Sequence, residues 1–374
     1  MYHWPPMRII PKLHDRVYNH SFTQSFFATK NLMKPFTLTG SLSLLTVLAF
    51  WLVAIVGQVQ AAPPATQPAS RIDNEMRISL AWQIALDAAN FSPGLIDGKF
   101  GRRGKMALQE YTAANFPGAK LDDPRVATAL GVDLPGVLAT HVITAQDLAQ
   151  VGGTLPTDWN EKAQLTAMLY ETLLDAMGER FRCSRGLLQT LNPGVDFAQL
   201  KAGQTITVPN IRPLLTQPLP LEKLTNRTLT GVADHIAIDL SEKTMRVFDA
   251  KEKQLALFHC SIAKDKEKLP TRDLQVKEIV VHPNYTFDPK MWPDVTNVKK
   301  ILTIQPGPRN PVGLAWITLD LPGYGMHGSP TPEMIGKTGS HGCFRLANWD
   351  ALTMTGILRR GLTIKILHPP AAEQ

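Results

Sequence analysis

The chain has 374 residues, 44% of them hydrophobic, and a formal net charge of +7. That length suits two or three domains with real cores, and the basic excess favours acidic partners: nucleic acid, anionic lipid or an anionic wall polymer. No long Lys/Arg block with interleaved aromatics occurs, which argues against nucleic acid, and three cysteines (Cys183, Cys260, Cys343) are too few for a disulfide scaffold.

Residues 1–32 fit no targeting pattern and are set aside as an extension. Leu42 to Val56 reads LSLLTVLAFWLVAIV, apolar and uncharged, with Lys30 and Lys34 before it and Val59-Gln60-Ala61 after it. A basic head, a short apolar core and a small-residue site predict a secretory signal over 33–61. A retained inner-membrane anchor is the alternative, although the run is short of the roughly 20 residues a spanning helix takes. Either reading places the rest outside the cytoplasm, in the periplasm or cell envelope. Residues 62–73, rich in proline and alanine, read as a linker.

The segment 74–116 reads as a helical hairpin. Leu80, Ile84 and Ala88 share one helix face, a glycine-rich loop covers Asn90 to Gly104, and Met106, Ala107, Tyr111 and Ala114 mark a second helix. Residues 117–160 show no clear pattern and read as a connector. In 161–211, Leu165, Met168, Leu169, Thr172, Leu173 and Ala176 follow helical spacing. Leu187, Leu188 and Leu191 give a further helix, stopped by Asn192-Pro193-Gly194, and Thr205 to Val208 alternates as a short strand. Residues 212–230 read as a second linker.

From 231 to 368 the pattern becomes mainly β. HIAIDL (His235–Leu240), TMRVFD (Thr244–Asp249) and LALFHCSI alternate, and further strands are predicted at Gln275–Val281, Leu302–Ile304, Ala315–Leu319 and Leu362–Ile366. One helix fits Trp349–Leu358, and 369–374 is a tail.

Within this domain GYGMHGSPTPEMIGKTGSHGCFRLANWDA (Gly323–Ala351) reads as loop on a β scaffold, where catalytic residues concentrate. A free thiol is a weak nucleophile until a neighbouring base favours the thiolate, and His327 and His341 flank Cys343. Gly342 permits close backbone approach. Amides at Gly342 and Cys343 aimed at a developing oxyanion would supply roughly 3–4 kcal/mol, and Arg345 suits a carboxylate. On residues alone three other readings stay open: a structural turn, a zinc site from His327, His341, Cys343 and His282, and a Cys343–Cys260 disulfide.

The motifs themselves carry resemblances. FSPGLIDGKFG before a helix resembles the peptidoglycan-binding domain family over some 40 residues. LLQTLNPGVDFAQLKAGQTITVPN (Leu187–Asn210) is similar to the second half of a LysM module, a family that binds N-acetylglucosamine polymers; the usual first strand and Gly-Asp-Thr turn are not found, and helical LYETLLDAMGERF stands in their place. HG followed by IGKTGSHGCFRLANWDA, with PGPRNPVGLAWI (Pro306–Ile317) and HIAIDLSEKTMRVF upstream, resembles the YkuD-type L,D-transpeptidase catalytic domain across 231–368. The expected fold is therefore multidomain: a mainly β catalytic domain behind a helical peptidoglycan-binding-like module and an α+β LysM-like module.

The resemblance implies that Cys343 is the acyl-enzyme nucleophile and His327 its base, held through its other ring nitrogen by a carbonyl near Gly328 or Ser329. It implies an oxyanion hole from the amides of Gly342 and Cys343, with His341 beside them. Ser340 and Asn348 would shape the loop, and Arg345 would meet substrate or hold the loop. The partners implied are peptidoglycan stem peptides and glycan, with no metal or cofactor. The implied reaction is a 3→3 cross-link with release of D-alanine. L,D-carboxypeptidase action, attachment of a protein amine and a non-catalytic wall-binding role are the alternatives. Asp273 near a usual turn glycine, Met326 in place of a branched residue, and DPKMWPDVTNVKK (Asp288–Lys300) as part of a lid are departures that bear on substrate detail.

Overall fold

The computed structural model describes residues 72–211, 232–292 and 294–368. The predicted signal or anchor segment, most of both linkers and the tail lie outside the described residues. Among the described residues no helix is long and apolar enough to cross a membrane.

The hairpin is formed by α1 (Asn74–Ala88) and α2 (Arg102–Asn115). Asp73 caps α1 by accepting from the Met76 amide at 2.7 Å, satisfying one of the amides that a helix start leaves open. The intervening loop is tied to α1 by Gln83, which is only 2% exposed; its Oε1 accepts from the Asp97 and Gly98 amides and its Nε2 donates to Asp97. Gly98 has φ +75°, a conformation that favours glycine, so the Asp-Gly pair sits where the chain must turn left-handed.

A short α3 (Pro124–Leu130) leads to β1 (Leu138–Val142), and α4 (Ala145–Leu148), α5 (Trp159–Lys162), α6 (Leu173–Arg180) and α7 (Arg185–Leu191) precede β2 (Thr205–Pro209). β1 and β2 pair antiparallel, Leu138 opposite Pro209 and Val142 opposite Thr205. This corrects the expectation of a missing first strand: the strand exists, inside the stretch read as connector. Its sides do not alternate cleanly between buried and exposed, so no period-2 signal marks it. With residues 149–171, which carry α5, set aside as an insertion, the module runs β1-α4-α6-α7-β2. One core joins it to α1: Leu80 and Ala81 pack with Ile96, Ile143, Met177, Leu188, Ile206 and Val208.

The C-terminal sheet has eight strands: β3 (Ala233–Asp239), β4 (Thr244–Asp249), β5 (Gln254–His259), β6 (Leu274–Val281), β9 (Ala315–Leu319), β10 (Gly325–His327), β11 (Phe344–Arg345) and β12 (Thr363–Leu367). Its order is β11-β10-β9-β6-β12-β3-β4-β5, and β7 (Tyr285–Phe287) pairs separately with β8 (Leu302–Ile304). Past β5 the chain turns back to the far edge, where Ser261 bridges Arg345 and Ala263 bridges Ser340, so the sheet curls round upon itself. Its core holds Ile236, Ile238, Met245, Val247, Leu274, Ile317, Met326 and Ile364, and one face is covered by α8 (Asn348–Ile357). Each such side chain taken out of water stabilises the fold by roughly 1.5–3 kcal/mol. β7, β10 and β11 were not anticipated; all are three residues or fewer.

The N-terminal region is packed on this domain. The loop after α1 augments β5: Ser92 N–H donates to Leu257 O at 2.8 Å and Leu257 N–H to Asn90 O at 2.9 Å. Leu257 thereby enters the hairpin core beside Leu86, Phe91 and Leu108. In the insertion, Met168 exchanges backbone bonds with Pro306 and Arg309, and Trp159 stacks on Phe287 with ring centroids 4.2 Å apart.

Candidate active site

β10 and β11 run parallel, with His327 opposite Arg345, which brings the two halves of the glycine-rich segment to one edge of the sheet. Cys343 immediately precedes β11. Both residues line a cleft of about 440 Å³, together with Ser340, His341, Gly342, Arg345, Tyr285, Trp292, Tyr324 and Lys268.

His327 is 5% exposed, and its Nδ1 lies 2.6 Å from the carbonyl of Gly328. A carbonyl only accepts, so Nδ1 carries the proton and Nε2 keeps its lone pair. Burial lowers the imidazole pKa to about 4, and the nearby Arg345 charge acts in the same direction. Trp316 stacks on the ring at 5.5 Å between centroids, fixing its plane. The half-buried Cys343 thiol donates to the carbonyl of Gly323 at 3.5 Å. Burial pushes its pKa up to about 11. Both groups are therefore neutral at rest, a thiol and an imidazole rather than an ion pair, so the thiolate must form as the nucleophile engages.

The loop around the thiol is held by its own side chains. Ser340 Oγ donates to the carbonyl of Cys343 and accepts from the Gly342 amide at 3.2 Å. The Gly342 amide is therefore occupied in this state, and it must leave Ser340 to serve an oxyanion. Arg345 donates to Gly339 O at 3.3 Å and also lines the cleft, so a half-buried cation combines a loop contact with a place in the cleft wall. The His341 ring meets Trp292 edge-on at 4.7 Å.

Gly328, Ser329 and Asn348 do not line the cleft. Ser329 is buried beside Thr331. Asn348 is fully buried at the start of α8; its Oδ1 accepts from the Leu314 amide at 3.0 Å and its Nδ2 donates to Pro308 O and to Glu179. Cys183, Cys260 and Cys343 are all free thiols, so the open disulfide reading is not realised here. Asp273, at the departure from the usual turn, accepts from the Ile366 amide at 2.9 Å, and Met326 is fully buried in the core. The segment expected to contribute to a lid supplies Asp288, Met291 and Trp292 to the cleft wall.

Several contributors carried no motif: Tyr285, Tyr324, Lys268, Ile301 and, behind the site, Glu179. Tyr324 hydroxyl donates to Lys268 O at 2.7 Å, tying one cleft wall to another. A Gly-Tyr-Gly stretch before His327 was the one hint available for it.

Residues 233–366 match the family model of the YkuD L,D-transpeptidase catalytic domain. That stretch is a YkuD-type L,D-transpeptidase catalytic domain. A Bacillus licheniformis protein provisionally named L,D-transpeptidase YkuD is 26% identical over 193 residues, covering 52% of this chain and 92% of that protein. The Bacillus subtilis protein of the same provisional name is 25% identical over the same length. Each aligned stretch is longer than the L,D-transpeptidase domain itself. Among solved structures, a cysteine-to-serine variant of an Enterococcus faecium L,D-transpeptidase is 14% identical, covering 36% of this chain and 50% of that one, with a TM-score of 0.27. L,D-transpeptidase 3 of Mycobacterium tuberculosis is 12% identical over 45% of this chain and 76% of that one, with a TM-score of 0.28. The chain thus spans about half the length of the Enterococcus faecium chain it matches.

Proposed function

We propose that the protein is a peptidoglycan L,D-transpeptidase that forms 3→3 cross-links through a Cys343 acyl-enzyme. The observation that carries this is the pairing, in one cleft, of a half-buried thiol with a histidine whose Nδ1–H is fixed on Gly328 O, which leaves the basic lone pair on Nε2. As Cys343 Sγ attacks the carbonyl of the L,D peptide bond in a tetrapeptide stem, its proton passes to His327 Nε2. The oxyanion is met by the Cys343 amide and, once released from Ser340, the Gly342 amide, with the His341 backbone beside them. His327 returns the proton to the departing D-alanine amine, leaving a thioester. The amine of a second stem then attacks that thioester, His327 taking its proton, and the thiol is regenerated. Arg345 and Lys268 make the cleft attractive to the carboxylates of the stem. No step calls on a metal or cofactor.

The antiparallel pairing of β1 with β2 around α6 and α7 supports a LysM-like reading of the middle module, and the Asp-Gly loop supports a peptidoglycan-binding-like reading of the hairpin. Together they would hold glycan while the domain reaches its stem peptides, outside the cytoplasm. Water or a protein amine as acceptor is the second reading, since the same thioester would react with either nucleophile.

The test incubates residues 71–374 with tetrapeptide muropeptides and reads products by mass spectrometry beside Cys343→Ala. Cross-linked dimers with loss of D-alanine, absent in the variant, are expected. Tripeptide alone would shift the reading to a carboxypeptidase, and unchanged substrate with folded protein would defeat it.

A further inference from the structure

The middle module reaches the site through one buried carboxyl. Glu179 lies on α6 and is 5% exposed. It accepts from Asn348 Nδ2 at 2.8 Å and from the Tyr170 hydroxyl. Asn348 in turn fills the space above two glycines. A Cβ added at Gly313 or Gly328 would lie 2.1 or 2.2 Å from its Oδ1, so the amide rests directly on those backbones. The carbonyl of Gly328 is the group that fixes the His327 tautomer. A continuous set of contacts therefore runs Glu179, Asn348, Gly328, His327, from one module into the other.

Neither end explains itself locally. Asn348 has only its Oδ1 bond to Leu314 and its Nδ2 bond to Pro308 within the catalytic domain, and its second amide proton goes to Glu179. A buried carboxyl is costly unless it is used, and burial raises Glu179 to about pKa 7. The charged and titratable groups facing it are Tyr170, Arg309 and Asp175, with Arg185 and Glu333 lining the adjoining cavity. Nothing in that set lies in the cleft of Cys343.

We propose that Glu179 is a positioning residue for the catalytic pair: through Asn348 it sets the Gly328 carbonyl that holds His327, so the middle module is a working part of the active site. The proposal rests on the reading of Cys343 and His327 as nucleophile and base. Glu179 touches no substrate and transfers no proton. Removing its acceptor leaves one Asn348 amide proton buried and unpaired, so the amide shifts on its remaining bonds to Leu314 and Pro308, loosens Gly328, and lets His327 change tautomer or tilt.

The experiment compares wild type, Glu179→Leu, Glu179→Gln and His327→Ala in the residue 71–374 protein, measuring kcat and KM on tetrapeptide from pH 5 to 9, with thermal midpoints alongside. Glu179→Leu is expected to lower kcat by about 10–100-fold, the scale of a misplaced group, with KM changed less than about twofold. Glu179→Gln keeps an acceptor for Asn348 and is expected to stay within about threefold of wild type. It should also lose a step near pH 7 through which wild-type kcat rises as the carboxylate forms and grips Asn348 more firmly. Folded Glu179→Leu with wild-type kcat overturns the proposal, as does a loss that Gln does not rescue. Should the Leu variant not fold, the Gln profile decides: a retained step near pH 7 overturns the proposal, and its loss supports it. Should His327→Ala retain full activity, the underlying reading fails instead, whatever Glu179 does.

Discussion

The two ends of the C-terminal sheet are built differently. At one end β3, β4 and β5 are hairpin-connected strands of six or seven residues whose inward side chains fill the core and whose outer edge is finished by Asn90–Ser92. At the other, β10 and β11 span three and two residues, contain the glycine-flanked histidine and follow the thiol, and supply few core side chains. The first end is held mainly by its own burial, with the hairpin loop added along its edge. The second is held from outside: Arg103 of α2 donates to Ile335 O, Arg185 pairs with Glu333 at 3.2 Å, Lys243 donates to Gly336 O, and Glu179 holds Asn348. Reactive backbone needs exposed amides and glycine, which burial cannot stabilise, so the stabilising contacts come from elsewhere in the chain.

The sharpest way to separate the two ends is to break each in turn. Cys343→Ala should abolish transfer on tetrapeptide, and His327→Gln should lower it by about 10²–10⁴-fold, both with thermal midpoints near wild type. Met245→Ala in β4 should do the reverse, costing about 2–5 kcal/mol in urea unfolding while the folded fraction keeps its activity per molecule. A Met245 variant with specific activity lost would erase the distinction.

Alkylation of Cys343 by iodoacetamide, followed by peptide mass spectrometry, probes the resting pair. With the thiol near 11 and the imidazole near 4, the rate should climb about tenfold per pH unit from 7 to 10. A plateau below pH 7 would mean a preformed ion pair.

The smallest effect lies where α8 meets the hairpin. Asp350 is buried beside Asp87 and Arg182, and burial raises its pKa to about 8. The unfolded carboxyl ionises near 4 while the folded one keeps its proton, so stability falls as pH rises through that window and levels off above 8. Asp350→Asn should flatten the fall between pH 7 and 8, worth at most about 1.4 kcal/mol per pH unit. An unchanged urea midpoint slope would show that the group is ionised throughout.

Legibility in the sequence follows the same division. β3, β4, β6 and α8 were read from alternation and helical spacing because burial imposes those periods. β10 and β11 were read as loop, since two or three residues cannot display a period. β1 shows no such signal because its own side chains do not alternate between buried and exposed, whereas those of its partner β2 alternate between buried and half-buried over most of its length. At the site, Cys343, His327, His341 and Arg345 stood out as a dense cluster of chemistry-bearing types. Glu179 did not, because it reaches the site from another segment and only the fold brings it there, and Tyr324, although inside the glycine-rich segment, is of a type that signals no chemistry by itself.

The stacking of Trp159 on Phe287, with Trp292 6.2 Å further along, has a consequence for the freedom of the catalytic domain beside its neighbour. A catalytic domain on a slack leash samples every bond within its leash length. One bolted to its neighbouring module through aromatic faces, a buried amide and paired backbone keeps one fixed spacing, so that the cleft and the surface of the neighbouring module stay a set distance apart, as on a gauge.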